Sequence, residues 1–124
     1  EFAKDKEILN LRWGGLEKQN LRIVHNKIMY VIKQITSGYE LYEETVEMKH
    51  CAFTYINGCS NGYTSIWSIK RKVNAKLEHY LTIEVRKNKI IQIKGKRNRC
   101  ANQTDYDVIK LWAHEVGLVI DTYY

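Results

Sequence analysis

Residues 79–95 constrain the fold more than any other stretch of the chain. Leu81, Ile83 and Val85 alternate with Tyr80, Thr82 and Glu84, and Ile91 and Ile93 carry an inner face a few residues later. Alternation of this kind sends successive side chains to opposite faces of an extended strand. The joint between the two runs, Arg86-Lys87-Asn88-Lys89, is a tight hairpin signal, because Asn88 tolerates a positive φ. Two further runs have strand character. Residues 64–71 centre on Ile66, Trp67 and Ile69, and residues 28–35 are β-branched and aromatic, as in a mostly buried strand.

Helical spacing appears on either side of these runs. Residues 3–12 predict a short helix through Ile8, Leu9 and Leu11, ended by Trp13-Gly14-Gly15. Ser37 and Glu40 form a capping-box pair ahead of a helix over 38–48. On it, Tyr39, Tyr42 and Val46 make the expected apolar stripe, with Glu43, Glu44 and Glu47 on the other side. A helical stretch over 50–57 is expected to stop at Gly58 and turn at Asn61-Gly62. The last helix, 104–116, carries Val108, Ile109, Trp112 and Val116, with Asn102 or Thr104 as its cap and Gly117 as its stop.

Short turns between successive strands imply an antiparallel sheet. The expected class is α+β, with about four strands and the helices packed on one face. At 124 residues and 44% hydrophobic content the chain can bury one core, so a single compact domain is expected, with 1–27 as an N-terminal helical segment and 28–124 as the α+β body.

Composition excludes several classes. No apolar run approaches the ~20 residues that span a bilayer, and no basic segment followed by an apolar stretch opens the chain. The cysteines are odd in number (Cys51, Cys59, Cys100) and form no CxxC pair, which points to a reduced, cytoplasmic setting without a disulfide framework. His50 and Cys51 are adjacent rather than two to four apart, so structural zinc is not expected. No nucleotide P-loop motif is present, and no cofactor is expected.

Charge is unevenly spread. The net charge is +6, yet residues 70–99 alone hold eleven Lys or Arg against Glu78 and Glu84. A basic block on an otherwise slightly acidic chain is the electrostatic footprint of a nucleic-acid partner, or else a solvated sheet face. Within the block, Gly95-Lys96-Arg97-Asn98-Arg99 follows directly on a strand. Its glycine permits close backbone approach, its cations can neutralise phosphates, and Asn98 can bond a base or shape the turn.

Lys49-His50-Cys51-Ala52-Phe53-Thr54-Tyr55 gathers an imidazole, a thiol and a phenol. On a helix starting at His50, Cys51 and Tyr55 share a face while His50 points about 100° away. A His50–Cys51 nucleophile pair is therefore geometrically poor, and a reactive Cys51 would need another base such as His79. The structural alternative for Cys51 is a small buried hydrophobe. His50 is either an anion contact or general acid/base, or a structural histidine. Tyr55 is either a ligand donor or a core phenol. Glu84 and Gln92 are expected across from one another on neighbouring strands, as a polar pair.

In chain order His50-Cys51, Tyr55, Gly62, Ile66 to Lys70, Thr82-Ile83-Glu84, Gln92, Gly95, Asn98 and Trp112 resemble the C-terminal domain of PcfJ-like proteins, which occur in conjugative plasmids, phages and related mobile elements. The resemblance covers roughly residues 28–116 and departs at Ala52-Phe53. It implies a link to mobile-element DNA and supplies no catalytic mechanism. The expected function is accessory nucleic-acid binding, DNA or RNA, through Arg71, Arg86, Lys94, Lys96, Arg97, Asn98 and Arg99. Protein partners of a transfer or phage complex are also expected, and no membrane. One alternative is an enzyme on a phosphodiester or nucleotide, with His50 and Tyr55 catalytic. Another is a protein–protein adaptor.

Overall fold

The computed structural model describes residues 6–16 and 19–122. Residues 3–5 of the expected first helix lie outside the described residues. The elements run α1 (Lys6–Leu9), β1 (Leu21–His25), β2 (Ile28–Gln34), α2 (Gly38–Met48), a 3-10 turn (Ala52–Tyr55), α3 (Ile56–Ser60), β3 (Ser65–Val73), β4 (Lys76–Arg86), β5 (Lys89–Lys94), a second 3-10 turn (Lys96–Asn98), α4 (Gln103–Val116) and β6 (Val119–Ile120). The α+β class holds, but the sheet is larger than expected. Among the described residues it has six strands in the order β1 to β6, antiparallel throughout except for the parallel β5–β6 pair.

Three hairpins set the register, each with two left-handed residues at its tip: Asn26-Lys27, Asn74-Ala75 and Lys87-Asn88. Paired positive φ angles are the signature of the two-residue turn whose twist matches the flanking strands. β1 lies inside the stretch 1–27 expected to be helical, so α1 is joined there by a sheet strand.

The helices cover both faces of the sheet rather than one. On the first face, α4 sets Val108, Ile109 and Trp112 against Trp67, Leu81 and Ile83, with the Trp67 and Trp112 rings 5.2 Å apart. On the second, Leu41 of α2 joins Phe53, Ile56, Cys59, Ile35 and Ile66. Burial on both sides explains why Ile66, Trp67, Ser68 and Ile69 are buried in succession. A bulge between Glu84 and Val85 slips β5 by one residue, so Ile90 rather than Ile91 turns inward beside Ile93.

α2 begins as its sequence predicts, with the Ser37 hydroxyl accepting from the Glu40 amide at 3.2 Å. The Glu40 carboxylate reaches back one residue further than a standard box, to the Thr36 amide at 2.9 Å. Its buried stripe is not the expected one. Tyr39 and Val46 are each half exposed, while Leu41, Glu44 and Met48 face the sheet. Gly38 lets α1 approach, since a Cβ there would lie 2.2 Å from the Ile8 carbonyl oxygen. The ends of α4 follow the sequence, with a full capping box between Asn102 and Asp105 and a left-handed Gly117 at its close. No described helix is long and apolar enough to cross a membrane.

Candidate functional site

The segment after α2 is not a helix from its first residue. Lys49 closes α2 in the left-handed conformation, which turns the chain and drives His50 inward. The following 3-10 turn is pinned to α2 by the Phe53 amide, which donates to the Thr45 hydroxyl at 2.7 Å. Below it lies the second face of the sheet, where register aligns Ser68, Thr82 and Lys94 in one row and Ile66, Glu84 and Gln92 in the next.

A hollow of about 100 Å³ opens between this turn and those rows. His50, Cys51 and Tyr55 border it from the turn; Thr82, Glu84, Gln92 and Lys94 border it from the sheet; Asn98 closes one end. Ile66 and Ala52 supply apolar wall. The structure thus gathers His50, Tyr55, Lys94 and Asn98 around one concavity, although they come from two segments far apart in the chain, 50–55 and 94–98.

His50 is 8% exposed, and both ring nitrogens are engaged. The Ala52 amide donates to Nδ1 at 3.2 Å, which fixes the proton on Nε2, and Nε2 donates to the Thr82 hydroxyl at 2.8 Å. Thr82 in turn donates to Oε2 of Glu44. The other oxygen of Glu44 accepts from the Ser68 hydroxyl at 2.8 Å and from His79 Nδ1 at 2.6 Å. Glu44 itself has no exposed surface. Burial lowers the His50 pKa below its ordinary value, and the Glu44 carboxylate offsets part of that. With neither nitrogen open to the hollow, His50 is poorly arranged for general acid/base work.

Tyr55 donates to Gln92 Oε1 at 2.8 Å, which leaves the Gln92 amide nitrogen as its free donor. Burial, then the neighbouring Glu84 carboxylate, raise the Tyr55 pKa, so this phenol stays protonated. Glu84, opposite Gln92 as its register predicts, gives Oε2 to the Thr64 hydroxyl at 2.7 Å and to the Arg86 guanidinium at 2.9 Å.

The cations divide into two groups. Arg86 is tied to Glu84 and lies over the Tyr63 ring at 4.8 Å. Arg99 pairs with the buried Asp105 at 2.8 Å, and Arg71 stacks on Tyr80 at 4.3 Å. Tyr80 also donates to Asp105, at the N-terminus of α4, so Arg71 and Arg99 belong to the first face, away from the hollow. Lys94, Lys96 and Arg97 are different. Among the described residues none of them has a carboxylate within ion-pair distance. Lys94 borders the hollow, and Lys96 and Arg97 are exposed on the turn that follows. Two backbone bonds close that turn, Gly95 amide to Arg99 carbonyl at 2.7 Å and Arg99 amide to Lys96 carbonyl at 3.1 Å. Arg97 and Asn98 are both left-handed.

The cysteines reverse the expectation for Cys51. Cys51 is exposed at the rim, whereas Cys59 is the buried one, its thiol pushed up to about 12 by burial. His79 is held by Glu44 and borders a separate groove, so it is not the base of a Cys51 nucleophile. No cluster of three metal-ligating side chains occurs among the described residues.

Sequence reasoning missed Glu44 and Thr82 as parts of this site. The available signal was spacing: Leu41, Glu44 and Met48 lie at i, i+3 and i+7, which puts a carboxylate on a helix's apolar stripe.

Comparison with curated proteins and with solved structures returned no match. A family model does match, from residue 3 to residue 109, starting ahead of the 28–116 span of the sequence resemblance and taking in α1 and β1. Its description is PcfJ-like protein, and at that coverage the chain belongs to the PcfJ-like family.

Proposed function

We propose that this domain binds nucleic acid through the strand-end turn at 94–99, as an accessory part of a mobile-element protein in conjugation or phage biology. One observation carries the reading. Lys94, Lys96 and Arg97 sit within four residues on a turn closed by its own backbone bonds, with no carboxylate within ion-pair distance among the described residues, beside the hollow. Unpaired, positioned cations are what phosphate contacts require, and they supply most of the affinity of such interfaces. Arg86 and Arg99, by contrast, are held by Glu84 and Asp105, so their contribution is smaller.

A gel-shift titration tests this. Lys94→Ala, Lys96→Ala and Arg97→Ala combined should abolish retention of DNA and RNA, while Lys110→Ala, at an exposed cation on α4, should leave it unchanged. Equal retention by the triple variant and the parent would remove the turn from the interface. The enzymatic reading draws less support, because His50 has no free nitrogen and Tyr55 is engaged and protonated.

A further inference from the structure

The hollow and the cations beside it differ in chemistry. A site built for a phosphate alone would converge donors and keep carboxylates out. This hollow does otherwise. Ile66 and Ala52 give it apolar wall, and Glu84 contributes a carboxylate to its lining. Its volume of about 100 Å³ is below that of sites for drug-sized ligands, so it admits one small group. Lys96 and Arg97 stand outside it, on the turn.

Two polar groups opposite each other in register define what the hollow can read. Gln92 is fixed by the Tyr55 hydroxyl on its oxygen and offers its amide nitrogen as a donor. Glu84 commits Oε2 to Thr64 and Arg86, and its carboxylate also adjoins the Tyr55 hydroxyl, whose one proton goes to Gln92, so Oε1 keeps acceptor capacity. A donor beside an acceptor is complementary to a base edge with an exocyclic amino group next to a ring nitrogen: the amino group donates to Glu84 and the ring nitrogen accepts from Gln92. On the Watson–Crick edge cytosine and adenine present that pair, and guanine, thymine and uracil do not. In a duplex the Watson–Crick edge is already paired, and Glu84 is only 4% exposed, too deep for a base still held in the stack, so the base must be unpaired and turned out.

We infer that the hollow receives one unpaired cytosine or adenine of a single-stranded nucleic acid, read by Glu84 and Gln92, while Lys94, Lys96 and Arg97 hold the flanking phosphates. The inference rests on the nucleic-acid reading above and adds the ligand class and the groups that select it.

Fluorescence anisotropy with labelled oligo-dC, oligo-dA and oligo-dT of equal length, an abasic strand and a duplex separates the two claims. The expected result is that dC or dA binds about tenfold more tightly than dT, the abasic strand or the duplex. Gln92→Leu should erase that preference and retain the weaker, base-independent binding. Tyr55→Phe, which keeps the ring and removes the hydroxyl that holds the Gln92 oxygen and adjoins Glu84, should reduce the preference without loss of fold by circular dichroism. Equal affinity for dC, dA, dT and the abasic strand, or tighter binding to duplex, overturns the base pocket and leaves the phosphate reading standing. No binding to any strand overturns the phosphate reading itself.

Discussion

Glu44 shows how one side chain can organise a site without touching solvent. Its two oxygens accept from Thr82, Ser68 and His79, and Thr82 passes the contact on to His50. A carboxylate with no exposed surface is tolerable only because these donors replace water. Glu44→Leu leaves several buried donors without an acceptor, and the expected loss is about 3 kcal/mol or more, read as a fall in the urea midpoint. Glu44→Gln, which keeps one acceptor oxygen, should lose less. Equal midpoints for parent and leucine variant would contradict the role of the network. His50 adds a pH dependence with a definite sign. Its folded pKa lies below the unfolded value of about 6.5, so stability is complete above that pH. It falls as pH drops below it, because the unfolded chain binds the proton first. The physical cause is burial, which disfavours the charged ring, and protonation of Nδ1 would also set an N–H against the Ala52 amide that now donates to it. The slope is at most one proton, about 1.4 kcal/mol per pH unit, and His50→Gln should flatten it in denaturation series between mildly acid and neutral pH.

Among the elements, the hairpins are the most directly testable. Asn74-Ala75 joins β3 to β4 with both residues left-handed, and Ala75 sits at φ 69. Alanine is disfavoured there by roughly 1 kcal/mol, whereas Asn-Gly is the preferred pair for this turn. Ala75→Gly should therefore raise the thermal midpoint by several degrees, and an unchanged or lowered midpoint would show that the turn is not as described. Legibility also varied by element for physical reasons. β2 to β5 were readable because their alternation or β-branched runs are long enough to show. β1 was missed because Arg22 and an exposed Val24 interrupt its apolar signal at the sheet's edge. β6 has two residues and exists through its pairing with β5. The inward turn of Ile90 depends on a bulge that alternation alone does not reveal. On α2, Tyr39 and Val46 look like core by type, but the helix's rotation is set by where Leu41 and Met48 must go.

At the scale of the whole molecule, the site exists because both faces of the sheet are covered. α4 fills one face with Trp112 and its neighbours, which leaves the other free to carry Thr82, Glu84, Gln92 and Lys94 beneath the turn from α2. The meeting of His50, Tyr55, Lys94 and Asn98 follows from that topology. The residues were nameable in sequence, but the split of the cations was not. Arg71 and Arg99 go to the α4 face because Tyr80 and Asp105 stand there, and Arg86 goes to Glu84 because the two lie two residues apart on β4. Of the cations expected at the interface, Lys94, Lys96 and Arg97 have neither a carboxylate nor a ring partner among the described residues, and they are the basis of the functional proposal. The most direct test is the salt dependence of oligonucleotide affinity. Three phosphate contacts give a slope of log K on log salt near −2 for a single strand, by a rule of about −0.7 per contact. That slope is expected for the parent chain, with collapse toward zero in the Lys94, Lys96 and Arg97 triple alanine variant. A slope that the triple variant leaves unchanged would contradict it.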